Sequence, residues 1–330
     1  MIFIASWAAA AALLFAAAPF PLSLAVFFAA ATANALIWLL LVGGVDALRE
    51  VIAAHTQPPL PARAATAPGR RMLVIGAGRG LGLECAALAA RHGWYVEAAD
   101  VSLAGPAHVD LTQPRSVADL CHRLVSRGVR RLDAVLLVAG VCDAAPVGVA
   151  GASTRPRMLW ANFLGHAVVL QELEARGVAV GRVVLVSSGS YARGGRARGF
   201  FPARWSALGA LGAYAQSKFL VTAWASGLRK RREVAIINPG PMRSAIGDAH
   251  VPLLLWPSYG LLKEVLFPHP SVAARAVLHA AEAAGPPADY VDIRVAARLN
   301  DEAASAESHA WVVEHARAAF DEVGYAWPKK

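Results

Sequence analysis

A seven-residue run with four glycines, GAGRGLG at residues 76–82, constrains the fold of this chain more than any other feature. It follows the apolar stretch RMLVI and precedes a helix-length stretch that Gly93 closes. Glycine lets the backbone turn sharply and approach a phosphate, and the N-terminus of the next helix presents unpaired N–H groups to an anion. The run is informative because it stands between a strand and a helix. It therefore predicts the first strand–turn–helix unit of a nucleotide-binding sheet.

After this unit, short apolar runs alternate with segments of helix length. This alternation is typical of parallel strands covered by helices on both faces, and it predicts a doubly wound parallel α/β sheet of the Rossmann type. The predicted strands are 71–78, 94–100, 107–111, 132–140, 181–188 and 233–240, and the predicted helices are 81–93, 114–127, 157–175 and 214–230.

The first 45 residues contain no Lys, Arg, Asp, Glu or His, in a chain of 330 residues that is 56% hydrophobic and 17% charged. Pro19 and Pro21 divide this run. Residues 22–44 are long enough to cross a bilayer as a helix and residues 2–18 are marginal, so one transmembrane helix and a helical hairpin both remain open. A secretory signal peptide is disfavoured because the basic n-region is missing and the apolar stretch is too long. Residues 1–45 are therefore expected to be a membrane anchor.

Residues 46–71 are rich in Pro and Ala and carry Arg49, Arg70 and Arg71, which predicts a basic linker. Positive residues beside a span tend to stay on the cytoplasmic side. The catalytic domain, residues 72–330, is thus expected to face the cytosol, at the endoplasmic reticulum if the source is eukaryotic. The spacing of the cysteines and histidines predicts no metal site.

Asp100 ends the second predicted strand, 18 residues after Gly82. A carboxylate there can accept hydrogen bonds from a ribose diol and repel a 2′-phosphate, which favours NAD(H). Arg79 lies in the glycine turn and would favour the 2′-phosphate of NADP(H). NAD(H) is the favoured cofactor and NADP(H) the alternative.

Tyr214 and Lys218, in YAQSK, would lie one turn apart on the same face of a helix. Asn162 lies in an apolar helix, and Ser188 ends a strand. In this order and on these elements, the residues resemble the short-chain dehydrogenase/reductase family over about residues 71–295. The matching positions are Gly76, Gly80, Gly82, Asp110, Ala139, Gly140, Asn162, Ser188, Tyr214, Lys218, Pro239, Gly240 and Ser244.

The resemblance implies an enzyme acting on CH–OH groups, with Asn162, Ser188, Tyr214 and Lys218 as catalytic residues. Tyr214 would exchange a proton with the substrate oxygen, Ser188 would position that oxygen, Lys218 would contact the cofactor ribose, and Asn162 would support a proton-relay water. The implied cofactor-binding residues are Gly76, Gly78, Arg79, Gly80, Leu81, Gly82, Asp100, Asp110, Leu111, Ala139, Gly140, Tyr214, Lys218, Pro239, Gly240 and Ser244.

Two features depart from the usual family pattern. Leu137 and Val138 stand where the family often has two asparagines, and Ser188 and Tyr214 are 26 residues apart, about twice the usual separation. The long insertion resembles the retinol dehydrogenase-like branch, which contains many membrane-bound enzymes acting on retinoids, steroids and other lipids.

Two segments, about 190–212 and 245–268, are expected to form a lid over the substrate cleft. The first interleaves arginines with aromatic residues, a composition that favours a loop at a membrane interface, with an ordinary surface loop as the alternative. Nucleic-acid binding is not expected. For residues 252–267, a lid dipping into lipid and a core helix remain equally open.

The sequence therefore predicts a membrane-anchored oxidoreductase that interconverts an alcohol and a carbonyl on a hydrophobic retinoid, steroid or lipid-like substrate. Its expected partners are that substrate and the lipid bilayer. The alternatives are a catalytically silent accessory subunit of a membrane complex and a 3-ketoacyl reductase of lipid elongation. Members of the family often pair through the helices that carry Asn162 and Tyr214, so a homodimer and a subunit of a membrane complex both remain open.

Overall fold

The computed structural model describes residues 33, 49–56, 69–143, 146–147, 155–200, 202–246, 248, 256–283 and 287–326. The anchor expected over residues 1–45 lies outside this part of the chain except for residue 33. The linker residues 46–48 and 57–68 and the lid residues 201, 247 and 249–255 lie outside it too. Within the described residues, no helix combines the length and the apolar character that crossing a bilayer requires.

A seven-stranded sheet forms the centre of the domain. Its strands are β1 (Arg71–Ile75), β2 (Tyr95–Ala99), β3 (Arg131–Leu137), β4 (Ala179–Val186), β5 (Val234–Asn238), β6 (Tyr290–Asp292) and β7 (Val295–Ala297). Their order is β2-β1-β3-β4-β5-β6-β7, and all neighbours are parallel except β6 and β7. The parallel α/β sheet predicted from the sequence is confirmed.

Helices precede, connect and follow the strands of the sheet. They are α1 (residues 49–56), α2 (Gly80–Arg91), α3 (Pro114–Ser126), α4, α5 (Pro202–Leu228), α6 (Trp256–Leu266), α7 (Pro270–Glu282), α8 (Asp301–Ala304) and α9 (Ala306–Asp321). Helix α4 has three parts, Arg157–Leu159, the π-helical Trp160–Leu164 and Gly165–Ala175. Helix α5 is kinked at Gly209, whose φ is 64°.

Alternate side chains of each central strand enter opposite apolar layers. Leu73 and Ile75 pack with the layer of α3, α4 and α5, whereas Met72 and Val74 pack with that of α2 and α7. Successive side chains of a strand point to opposite faces, so a sheet covered on both faces needs apolar residues throughout. This explains the uninterrupted apolar runs in the sequence.

The chain reverses its direction of travel across the sheet between β1 and β3. Strand β2 lies on one side of β1, and β3 and all later strands lie on the other. In sheets of this kind, ligands bind outside the carboxyl ends of the strands at such a switch point. The glycine turn after β1 and Gly140 after β3 both lie at this position.

The outer side of β2 carries little pairing. The predicted strand at 107–111 is wrong: residues Gly105–Ala107 form a 3-10 turn, and a single bridge joins Asp100 to His108. On β2 itself, Glu97 accepts hydrogen bonds from Arg71 at 2.8 Å and Arg127 at 2.7 Å.

The insertion after Ser188 is docked on the domain. Gln216 is fully buried, and its amide nitrogen donates to the carbonyl oxygens of Gly195 and Gly199, each at 3.0 Å. Phe200 is buried against Phe163 and Trp311. The described part of the insertion therefore packs against α4, α5 and α9.

Candidate active site

The glycine turn is held in close contact with the sheet. Gly76 has a φ of 98°, which favours glycine, and a Cβ there would lie 2.6 Å from the backbone nitrogen of Ala139. A Cβ on Gly82 would overlap the carbonyl oxygen of Gly76. Two of the predicted glycines are thus required by backbone packing: a side chain at Gly76 would push the turn away from Ala139 after β3, and one at Gly82 would separate α2 from the turn.

Gly80 differs because it faces open space. Its φ is 53°, and a Cβ there would meet nothing within 4 Å. A cavity of about 360 Å³ adjoins it, lined by Gly80, Leu83, Glu84, Arg243, Glu264, His269 and Pro270. The N-terminus of α2 begins at this cavity, and a helix N-terminus favours an anion. The lining also includes the carboxylates of Glu84 and Glu264, and Glu264 is paired with Arg243. The features that favour an anion here are therefore the open face of Gly80 and the helix N-terminus.

Asp100 lies directly beside the turn. A Cβ on Gly78 would be 2.6 Å from Asp100 Oδ1, and the same oxygen accepts hydrogen bonds from Ser102 N at 2.8 Å and Ser102 Oγ at 2.6 Å. These bonds fix the carboxylate and leave Oδ2 for another donor, as a ribose diol requires. Arg79, at the N-cap of α2, is exposed.

Asp110 and Leu111 have structural roles in the loop after the Asp100–His108 bridge. Asp110 Oδ1 accepts from Thr112 N at 2.8 Å and from Thr112 Oγ1 at 2.7 Å, which closes a tight turn. Leu111 is buried, and a Cβ on Gly165 would press against its carbonyl oxygen. Both residues therefore position the loop that borders the switch point.

Asn162 lies in the π-helical part of α4 and is almost fully buried. Its Oδ1 accepts from Val141 N at 2.8 Å, and its Nδ2 donates to Val141 O and Ser217 Oγ, each at 2.9 Å. Both hydrogens of the amide are thus used. Asn162 therefore holds the backbone after Gly140 in place and links it to Ser217, the residue before Lys218. π-Helical turns of this kind are frequent at functional sites.

Tyr214, Lys218 and Ser188 converge at the carboxyl edge of the sheet. Lys218 Nζ lies 5.7 Å from the centre of the Tyr214 ring and donates to Val186 O at 3.0 Å. The Ser188 side chain lies beside that of Tyr214 and favours its ionised form. A Cβ on Gly140 would be 3.5 Å from Lys218 Nζ and 3.6 Å from Asn162 Oδ1. All four predicted catalytic residues are therefore brought together.

Burial acts on the tyrosine and the lysine in opposite directions. It raises the pKa of Tyr214 above its usual value, with Cys142 and Glu50 adding to the effect and the Ser188 side chain opposing it. Burial lowers the pKa of Lys218 from 10.5 to about 8. At neutral pH the site therefore holds a neutral phenol beside a cationic ammonium.

The predicted segment after β5 borders the same edge. Gly240 has a φ of 76°, and its N–H donates to Asn238 Oδ1 at 3.1 Å. Pro239 and Ser244 are partly buried in the loop that follows the strand. Next to Ser244, Arg243 donates to Phe267 O at 2.9 Å and pairs with Glu264 at 2.8 Å. The loop is thus tied to α6.

Three polar residues at the edge were not identified from the sequence. Asn238 Nδ2 donates to Glu50 Oε1 at 3.0 Å and to Asp292 Oδ1 at 2.8 Å. His166 is buried, and its Nε2 lies 2.9 Å from Ala139 O. His166 falls four residues after Asn162, one turn along the same helix, which is a signal that the sequence did contain. No local pattern indicates Glu50, because its partner lies 188 residues away.

Comparison with known proteins supports the same type of fold. No family model matches the chain. The uncharacterised oxidoreductase YbbO of Escherichia coli K12 is 27% identical over 198 residues, covering 54% of this chain and 68% of YbbO.

Solved structures give the same result. The 3-alpha-hydroxysteroid dehydrogenase from Pseudomonas sp. B-0831, complexed with NADH, matches with a TM-score of 0.53 and 20% identity over 68% of this chain and 95% of that one. A short-chain dehydrogenase of Shigella flexneri, complexed with NADP, matches with a TM-score of 0.52 and 20% identity over 71% and 100%. The chain therefore has the fold of short-chain dehydrogenases.

Proposed function

We propose that this protein is a membrane-anchored, NAD(P)(H)-dependent oxidoreductase of the short-chain dehydrogenase type. It interconverts an alcohol and a carbonyl on a hydrophobic substrate of the retinoid, steroid or lipid class. The observation that carries the proposal is the meeting of Tyr214, Ser188 and Lys218 beside Gly140, at the switch point of the sheet.

The residues present fit a nicotinamide dinucleotide. The open face of Gly80 and the N-terminus of α2 would hold the pyrophosphate, and Asp100 Oδ2 would accept a hydrogen bond from the adenosine ribose. When bound, the cofactor supplies or accepts the hydride. The placement of Asp100 favours NAD(H), since a carboxylate there would repel a 2′-phosphate. Structural neighbours bind NADH in one case and NADP in another.

The chain's own residues carry out the proton transfer. In carbonyl reduction, Tyr214 donates its phenolic proton to the substrate oxygen as the carbon receives the hydride, so that the C=O bond becomes C–OH. Ser188 holds the same oxygen by a hydrogen bond. The Lys218 ammonium stabilises the developing phenolate, and its anchor on Val186 O keeps it below the tyrosine ring. Asn162 keeps the segment after Gly140 in place.

The apolar character of the N-terminal region supports a lipid-like substrate. Residues 1–45 carry no charged side chain, and α1, which follows them, exposes Ile52. Val265 on the neighbouring α6 is also exposed, at 67%. A substrate dissolved in the bilayer would then reach the cleft from the side on which the chain is anchored.

The test is turnover by the full-length protein in detergent micelles. A panel of retinoid, steroid and other lipid alcohols and ketones, with one 3-ketoacyl thioester, is assayed with NAD(H) and with NADP(H). We expect turnover of a lipid alcohol–ketone pair and a loss of ~10²–10⁴-fold in Tyr214→Phe. Tyr95→Phe, on the exposed outer strand, is the matched control and keeps wild-type activity.

Two results would contradict the proposal. Cofactor binding without turnover on the whole panel would indicate an accessory subunit. Turnover confined to the thioester with NADPH would indicate a reductase of lipid elongation.

A further inference from the structure

Helix α1 is fixed to the catalytic domain at three points. Arg294 donates to Ala54 O at 2.8 Å, and His55 Nε2 lies 2.6 Å from Leu266 O at the end of α6. Val51, on the same helix, is buried. The third point is Glu50, whose carboxylate reaches the carboxyl edge of the sheet. A segment expected from the sequence to be a linker thus supplies a charged side chain to the candidate active site.

Glu50 stands between the ends of two strands that carry site residues. Its Oε1 accepts from Asn238 Nδ2 at 3.0 Å, directly before Pro239 and Gly240. A Cβ on Gly189, the residue after Ser188, would overlap the same oxygen. The carboxylate therefore lies between the side chain of Asn238, which precedes Pro239 and Gly240, and the backbone of Gly189, which follows Ser188.

The charges around Glu50 come from several elements. Asp292 on β6 accepts a hydrogen bond from the same amide nitrogen of Asn238. The negative charge of Glu50 raises the pKa of Tyr290 on β6 and of Tyr214 on α5. The cations nearby are Lys218, which is bonded to Val186 O, and Arg294, which is bonded to carbonyl oxygens of α1. Arg49 lies on α1 itself, and Cys142 is the other group that opposes ionisation of Tyr214. Two carboxylates thus face the edge, with the amide of Asn238 between them.

We propose that Glu50 is a positioning residue that sets the charge of the cleft: its carboxylate, held by Asn238 next to Gly189, places a negative charge beside the position of the nicotinamide ring and favours the oxidised, positively charged ring. The inference rests on the proposed function. Carbonyl reduction converts the phenol and the reduced ring into a phenolate and a positive ring, and alcohol oxidation starts from that phenolate and positive ring. A carboxylate at this place stabilises the positive ring and opposes formation of the phenolate, and the two effects are measured separately.

The first test is the pH profile of alcohol oxidation by the full-length protein. In Glu50→Gln, which keeps the shape and the acceptor but removes the charge, the acid limb is expected to move about one pH unit lower. Glu50→Ala should move it by as much, and Glu50→Asp, which keeps the charge, should stay close to wild type. Glu314→Gln, an exposed charge removed from α9, is the control and leaves the profile unchanged.

An unchanged limb in both Glu50→Gln and Glu50→Ala would overturn the assignment while leaving the proposed function intact. A shift in Glu50→Ala alone would assign the effect to lost packing and would also overturn it. If Glu50→Gln does not fold, as judged by thermal unfolding, Glu50→Asp separates the two causes, because it also loses packing but keeps the charge. A limb that moves in Glu50→Ala and stays in Glu50→Asp supports the assignment, and a limb that moves equally in both overturns it.

The second test needs no turnover. Dissociation constants for oxidised and reduced cofactor are measured by calorimetry on the same variants. Glu50→Gln is expected to raise the ratio of the oxidised to the reduced constant about threefold or more, since the ring is positive only when oxidised. An unchanged ratio overturns the role of Glu50. A wild-type protein that binds neither form overturns the proposed function and this inference together.

Discussion

At the scale of single residues, burial of the charged lysine of the candidate site lowers the free energy of unfolding. Lys218 is 2% exposed and donates only to Val186 O among the hydrogen bonds it makes in the described chain. Burial lowers its pKa to about 8 from 10.5. Both the folded and the unfolded protein bind this proton below pH 8, so the full cost is present there. Between pH 8 and 10.5 only the unfolded state retains the proton, and stability therefore rises with pH.

Lys218→Met tests this cost. We expect the variant to be more stable than wild type at pH 7, by about 2–3 kcal/mol, because a neutral side chain replaces a buried cation. Its advantage should shrink as the pH rises from 8 to 10.5, and turnover should be lost. Denaturant unfolding at pH 7 and 10 provides the measurement. A variant less stable than wild type at pH 7 would show that the bond to Val186 O outweighs the desolvation of the charge.

The buried side chain of His166 is expected to make the stability of the fold sensitive to acid. Its pKa is lowered from 6.5 to about 4, chiefly by burial, with the bond to Ala139 O opposing the shift and the charge of Lys218 adding to it. Above pH 6.5 the imidazole is neutral in both states. Between pH 6.5 and 4 the unfolded state takes up a proton that the folded state does not. Stability is therefore lost as the pH falls through this window, by roughly 3 kcal/mol.

His166→Gln removes the titration while keeping a donor for Ala139 O. We expect its unfolding free energy to be less dependent on pH between 6.5 and 4 than that of wild type, as followed by chemical denaturation at half-unit steps. His122→Gln, an exposed histidine on α3, is the control and keeps the wild-type slope. Equal slopes in all three proteins would assign the acid sensitivity to other groups.

At the scale of secondary-structure elements, the glycines of the turn after β1 have different functions. A methyl group at residue 82 would collide with Gly76 O and push α2 away from the turn, whereas one at residue 80 has space and meets only the strain of a positive φ. We expect Gly82→Ala to abolish cofactor binding and to destabilise the fold by ~2 kcal/mol or more. Gly80→Ala should fold with a loss of ~1 kcal/mol. Calorimetric cofactor titration and thermal unfolding distinguish them, and equal behaviour of the two variants would contradict the packing argument.

The sequence predicts these elements well where local patterns determine them. The apolar runs at β1, β3, β4 and β5 and the helices α2 and α3 coincide with predicted segments, because burial on both faces leaves a local signature. The glycine turn was predicted from its four glycines, which stand between an apolar run and a helix-length segment. The placement of Asn162 beside Val141 and Ser217 agrees with a shared site, although the π-helical turn around it has no sequence signal that we identified.

Elements defined by distant contacts were not predicted. The short strands β6 and β7 and the docking of α1 depend on partners far along the chain, such as Asn238 for Glu50 and Ala54 for Arg294. The composition of residues 46–71 indicates a linker, since Pro and Ala carry no information about such partners. The positions of these elements are therefore set by tertiary contacts that the local composition does not indicate.

At the scale of the whole molecule, α1 connects the proposed anchor to the catalytic domain. It contacts the edge of the sheet through Glu50, and α6 through His55. We expect the full-length protein to remain in the membrane fraction after alkaline carbonate washing and to be released by detergent. The reason is that residues 1–45 have no charged side chain that would have to enter the hydrocarbon core. A variant starting at residue 46 should be released without detergent and still bind cofactor. Recovery of the full-length protein in the carbonate wash would contradict the anchor.

The sparse pairing on the outer side of β2 has a consequence for self-association. Unpaired N–H and C=O groups on an edge strand are a template for pairing with a strand of another molecule, and the exposed Tyr95 would add an apolar contact to such pairing. Glu97, held between Arg71 and Arg127, places fixed charges on this strand. An incoming strand would have to strip water from those ions, and so the same ion pairs that join β2 to its neighbours also protect the molecule from fibrous aggregation.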